Sequence, residues 1–166
     1  MIFGMTISTF TFIHVLLSLI GLFSGFAVVL GLLTVKRLDG WTAVFLTSTV
    51  ATSVTGFGFP FDHLLPSHKA GILSLLVLAV AILARYALHL VAAWRWIYVI
   101  SAVIALYLNV FIFIVQTFLK VPGLRAVAPT QSEPPFLFTQ LLVLALFVAL
   151  AIVAGIKFHD VPVRTT

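Results

Sequence analysis

From residue 7 to residue 35 the chain carries no charged side chain, and the first charge is Lys36. That run is longer than the apolar region of a signal peptide and lacks a basic segment before it, so it reads as a membrane span. Four more apolar stretches follow at about 41–61, 72–93, 96–119 and 136–157. Trp41 opens the second, and the run Gly56-Phe57-Gly58-Phe59-Pro60 closes it. The pattern predicts an all-α fold: one integral membrane domain over residues 1–166, a bundle of five transmembrane helices. Trp94 and Trp96 flank Arg95 between the third and fourth helices, where amphipathic indoles suit the headgroup level. The short joint makes those helices antiparallel neighbours.

Lipid is as apolar as leucine, so small and polar residues show which helix faces pack. His14, Ser18, Gly21 and Gly25 fall on one face of helix 1, with the glycines in small-xxx-small spacing. Helix 2 is crowded with hydroxyls at Thr42, Thr47, Ser48, Thr49, Thr52, Ser53 and Thr55. Helix 4 carries Tyr98, Ser101, Ala105, Asn109, Gln116 and Lys120 at helical spacing. Each amide needs a partner inside hydrocarbon, and the plain reading is interhelical hydrogen bonding. The hydroxyls can bond their own helix's carbonyls.

Composition narrows the classes further. Apolar residues make up 63% of the chain and charged residues 8%, against about 25% charged in a soluble domain. The absence of cysteine excludes disulfides, thiolate metal sites and cysteine nucleophiles. Nine Lys/Arg against four Asp/Glu give a net charge of +5, but the basic residues are scattered through the connections with no stripe to follow a phosphate backbone, so no nucleic-acid partner is expected. Lys36, Arg37, Arg95, Lys157 and Arg164, with Arg85 if it reaches that way, fall on one side; Lys69, Lys120 and Arg125 fall on the other. The positive-inside rule then predicts an external N-terminus and a cytoplasmic C-terminus. The proline-rich stretch from Lys120 to Pro135 is expected to be an irregular external loop.

This orientation gathers polar residues in the outer half: Thr11 and His14, Ser53 and Thr55, Asn109 and Gln116, and Gln140. A cavity open to the outside would hydrate them, which makes His14, Thr55, Asn109, Gln116 and Gln140 candidate ligand-binding residues. A haem held between His14 and His89 is excluded by depth. Axial imidazoles on one iron sit within about 4 Å of each other, twice a metal–nitrogen length, whereas these two lie near opposite ends of a core about 30 Å thick. His14 could instead meet His63 or His68, two or three imidazoles that with Asp62 would make a copper or zinc site, or His14 and His63 could ligate an outer-leaflet haem b. The plainer alternative makes Asp62-His63 a helix-end pair and His68-Lys69 a solvated loop. On helix 3, Arg85 and His89 are expected to share a face. Either Arg85 snorkels to phosphate or Asp39, or Arg85, Tyr86 and His89 bind an anionic group.

The segments Trp41-Thr42-Ala43, Ser53-Val54-Thr55-Gly56-Phe57, Trp94-Arg95-Trp96-Ile97-Tyr98, Leu108-Asn109-Val110 and Ser132-Glu133-Pro134-Pro135-Phe136 resemble those of small polytopic bacterial inner-membrane proteins. The resemblance implies a multi-pass protein of the bacterial cytoplasmic membrane and carries no activity. Three functions compete: a membrane-embedded binding protein for a small ligand or redox cofactor, quinone or haem; an accessory or structural subunit of a larger membrane complex; and a small transporter. Beyond membrane lipids, a membrane-protein partner or a second copy of the chain is the expected company. An enzyme is least favoured, because no span holds a carboxylate and no nucleophile has an evident base.

Overall fold

The computed structural model describes residues 4–59 and 66–158. The protein is 84% helical, with no strand among the described residues. Its elements are α1 (Ile7–Leu33), α2 (Asp39–Gly56), α3 (Pro66–Ile82), a π-helical turn (Leu83–Ala87), α4 (Trp94–Lys120), α5 (Pro122–Val127) and α6 (Pro134–Phe158).

Among the described residues, four helical stretches are long and apolar enough to cross a membrane: Ile7–Leu33, His68–Ala87, Trp94–Lys120 and Pro134–Phe158. The helix α2, of 18 residues, stands outside that set because its seven hydroxyl-bearing residues dilute its hydropathy. Three of those seven hydroxyls are satisfied locally. Thr42 donates to the Leu38 carbonyl, Ser48 to Val44 and Thr55 to Ala51, each bonding one turn back along the same helix.

The third predicted span differs most from the sequence reading. Instead of running unbroken over 72–93, α3 passes into the π turn and the chain then leaves the helix; His89, Leu90 and Ala92 adopt left-handed backbone. Left-handed conformation costs non-glycine residues about 1–2 kcal/mol each, so the surrounding packing must hold them. Leu90, buried at the core, is part of that packing. The expected shared face of Arg85 and His89 is lost with the helix: His89 is exposed and outside it. The stretch from Lys120 to Pro135 is likewise not wholly irregular. Pro122 opens the short helix α5, its ring preset for the first helical turn.

α4 is the hub, packing on α1, α3 and α6, while α2 lies between α1 and α3. The small face expected on α1 is buried. A Cβ added at Gly21 would meet the side chains of Thr49, Ser48 and Asn109 at 3.0–3.4 Å, and one at Gly25 would come within 2.6 Å of Leu106 and 2.8 Å of Phe45. Only glycine lets α1 approach α2 and α4 this closely. The core centres on Phe45, Leu78, Tyr98, Val99 and Leu106. Alternating helix directions bring the start of α1, the end of α2, the start of α3 and the end of α4 to one end of the bundle, and the joints 34–38 and 88–93 to the other.

Candidate functional site

At the first of these ends, α1 to α4 splay around a cavity of about 560 Å³, a size that suits a drug-sized ligand. Val15, Leu19, Leu22, Leu108, Ile112 and Phe113 supply apolar walls, and His14, Thr52, His68, Ser74, Asn109 and Gln116 supply polar groups. Lys120, in the last turn of α4, also lines the cavity.

His14 is held on one edge. Its Nδ1 lies 2.8 Å from Thr55 Oγ1, and the Thr55 hydroxyl also lies 2.7 Å from the Ala51 carbonyl. Phe59 packs edge-on against the imidazole, with ring centroids 5.2 Å apart. Asn109 donates from Nδ2 to Thr49 Oγ1 at 3.1 Å, which fixes the amide beside Gly21. His68 is buried and stacks on Phe57 at 5.6 Å between centroids. Two hydroxyls on the wall, Thr52 Oγ1 and Ser74 Oγ, are buried without a hydrogen-bond partner, although Ser74 is only 4% exposed. An unpaired buried hydroxyl costs about 1–3 kcal/mol, and many serines and threonines in this bundle avoid that cost by bonding the preceding turn.

The sequence-predicted residues divide as follows. His14, Asn109 and Gln116 line the cavity, with Thr55 directly behind His14. His68 joins them, while His63 lies outside the described residues. No group of three or more metal-ligating side chains occurs among the described residues. Gln140 is not brought to the cavity. It is buried on α6, where its Nε2 donates to the Phe111 carbonyl of α4 at 3.3 Å and its Oε1 has no partner. Depth alone grouped it with the others; α6 packs on α4 away from the cavity wall.

Arg85, Tyr86 and His89 lie at the opposite end. Arg85 pairs with Asp39, the first residue of α2. Its guanidinium also sits over the rings of Tyr98 at 5.1 Å and Tyr86 at 5.8 Å. Such stacking is favourable for a desolvated cation. The Arg85 side chain is 8% exposed and Asp39 79%, so the pair runs from the bundle to its rim. Tyr98, fully buried, reaches Thr42 Oγ1 at 3.5 Å. His89 takes no part, being exposed beyond the π turn.

Sequence reasoning missed Ser74. The signal was faint but present: Gly71, Ser74 and Leu78 recur at i, i+3 and i+7, a small-residue stripe on an otherwise aliphatic helix. No family model, curated protein or solved structure matches the chain. The site therefore rests on its own geometry.

Proposed function

We propose that this is a membrane-embedded binding protein that holds a small, mostly apolar ligand of the quinone or haem class in the cavity between α1 and α4. The observation that carries the reading is a cavity with apolar walls on which His14, Asn109 and Gln116 converge, His14 Nε2 having no hydrogen-bond partner among the described residues. Apolar pockets with a few convergent polar groups are the usual form of a small-molecule site. For a haem, His14 and His68 would be the imidazoles that hold the iron; for a quinone, Asn109 and Gln116 would hold the ring oxygens. Iron would add redox chemistry, and the residues themselves bind and orient.

The protein on this reading spans the bacterial cytoplasmic membrane five times, with its N-terminus external. α2 supports the fifth span, because 18 residues extend about 27 Å, close to a hydrocarbon core of about 30 Å, and three of its seven hydroxyls are bonded to the preceding turn. The charges support the orientation: Lys36, Arg37, Arg95 and Lys157 join Arg85 at its end, and Lys69, Lys120 and Arg125 lie at the cavity end. Reporter fusions after Met5 and after Lys157 test the topology; a cytoplasmic reporter active at the first site overturns it. Purification in mild detergent, with visible absorption and extraction of organics, tests the binding. A stoichiometric haem band or extracted quinone is expected, and protein free of both contradicts the reading.

A further inference from the structure

Hydrogen-bond accounting at His14 says more about the ligand than its size does. The Thr55 hydroxyl has one proton and three neighbours, the Ala51 carbonyl at 2.7 Å, the Thr52 carbonyl at 3.1 Å and His14 Nδ1 at 2.8 Å. A carbonyl oxygen only accepts. If the proton pointed at the imidazole, the Thr55 and Ala51 oxygens would face each other at hydrogen-bonding distance with no proton between them. The proton therefore goes to Ala51, and Thr55 Oγ1 accepts from His14 Nδ1–H. Lys120 lines the same cavity and no carboxylate does among the described residues, so a second positive charge there is disfavoured and the neutral ring is the favoured form. The remaining nitrogen, Nε2, then carries a lone pair. None of the described residues hydrogen-bonds it, and His14 lines the cavity.

We propose that the cavity selects a ligand bearing a hydroxyl on an aromatic ring, the hydroquinone form rather than the quinone, and that this hydroxyl donates to His14 Nε2. The assignment rests on the binding function proposed above and narrows it to a chemical class. A quinone carbonyl offers Nε2 a second lone pair and is repelled; a hydroquinone O–H completes the chain ligand O–H to Nε2, Nδ1–H to Thr55, Thr55 O–H to Ala51. The amides of Asn109 and Gln116, which can both donate and accept, remain for the ligand's other oxygen. Thr55 is a positioning residue here: it fixes the imidazole tautomer and touches no ligand.

The test compares three probes on the purified full chain in detergent under argon: a decyl-substituted 1,4-benzohydroquinone, its dimethyl ether and its quinone. Affinity is read by quenching of tryptophan fluorescence and by calorimetry. The hydroquinone is expected to bind at least about tenfold more tightly than either of the others, the scale of one hydrogen bond at a buried acceptor. The preference should disappear in His14→Phe and fall to within about threefold in Thr55→Val, which frees the tautomer. Three equal affinities in the wild-type protein overturn the hydroquinone assignment and leave the binding function standing. Absence of binding by all three overturns the assignment together with the quinone arm of the binding function. A preference retained in His14→Phe removes His14 from the account, and because the wild-type comparison uses no variant, a misfolded substitution does not rescue it.

Discussion

The two ends of this bundle handle polar groups in opposite ways. At the Arg85 end they satisfy one another: the guanidinium pairs with Asp39 and lies over Tyr98 and Tyr86, and Tyr98 reaches Thr42. At the His14 end, the hydroxyls of Thr52 and Ser74 are sealed without partners in the wall of a cavity, and His14 Nε2 has no partner among the described residues. Both ends belong to the same helices, so the contrast is one of packing and not of composition. Buried polar groups are expensive unless paired. An end that leaves them unpaired gives up stability that only a bound molecule or water can restore, and the closed end supplies the rigidity on which the open end stands.

The largest expected effect comes from the seam joining the two ends. Gly25→Leu drives a side chain into Phe45 and Leu106 and should cost about 3 kcal/mol by overpacking, read as a lowered thermal midpoint in detergent. An unchanged midpoint would mean that α1 can swing away from α2 and α4, and the two ends would then not be mechanically joined. Next is the closed end. Asp39→Ala should cost about 1–2 kcal/mol, between the values for exposed and buried ion pairs, because it strips the partner from a largely buried guanidinium and an acidic group from the first turn of α2. No loss would show that lipid phosphate serves Arg85 equally well.

The open end should respond with the opposite sign. Thr52→Val removes an unpartnered hydroxyl and is expected to stabilise the ligand-free protein by up to about 1 kcal/mol. A clear destabilisation would show that the hydroxyl is bonded after all, and the contrast between the ends would shrink. The smallest effect concerns Glu133, in the connection at the cavity end. Desolvation, the largest single influence, raises its carboxyl, but hydrogen bonds from the Thr130 hydroxyl and from the Thr130 and Ser132 N–H groups together outweigh it and hold the carboxyl below the usual range. A carboxyl lowered by folding contributes stability that is complete above its unfolded value, about 4.3, and is lost as pH falls through the folded one. Glu133→Gln should therefore flatten a slight acid-side loss below about pH 4 and leave neutral stability unchanged; an identical acid profile removes Glu133 from that role.

How legible was this in the sequence? The long helices were, because unbroken apolar runs of this length admit little else in a bilayer. The packing face of α1 was too, since Gly21 and Gly25 sit at small-xxx-small spacing beside His14. The break after Arg85 was not. The residues from Leu83 to Ala93 contain no glycine or proline, and left-handed backbone at His89, Leu90 and Ala92 leaves no mark when ordinary side chains adopt it. In the site, depth and helical stripes brought His14, Asn109 and Gln116 together. Depth could not exclude Gln140, because the side of α4 on which α6 packs depends on pairwise fit, which one chain's periodicity does not encode. Ser74 was hidden because a single serine in an aliphatic helix ordinarily bonds its own backbone.

The central claim is that the open end is a binding site. Native mass spectrometry of the protein released from gentle detergent tests it most directly, comparing wild type with His14→Phe. The account predicts about one equivalent of a small molecule on the wild-type chain and its loss from the variant, with the thermal midpoints matched to show that the fold is intact. An empty wild-type chain, or equal occupancy of both proteins, would contradict it.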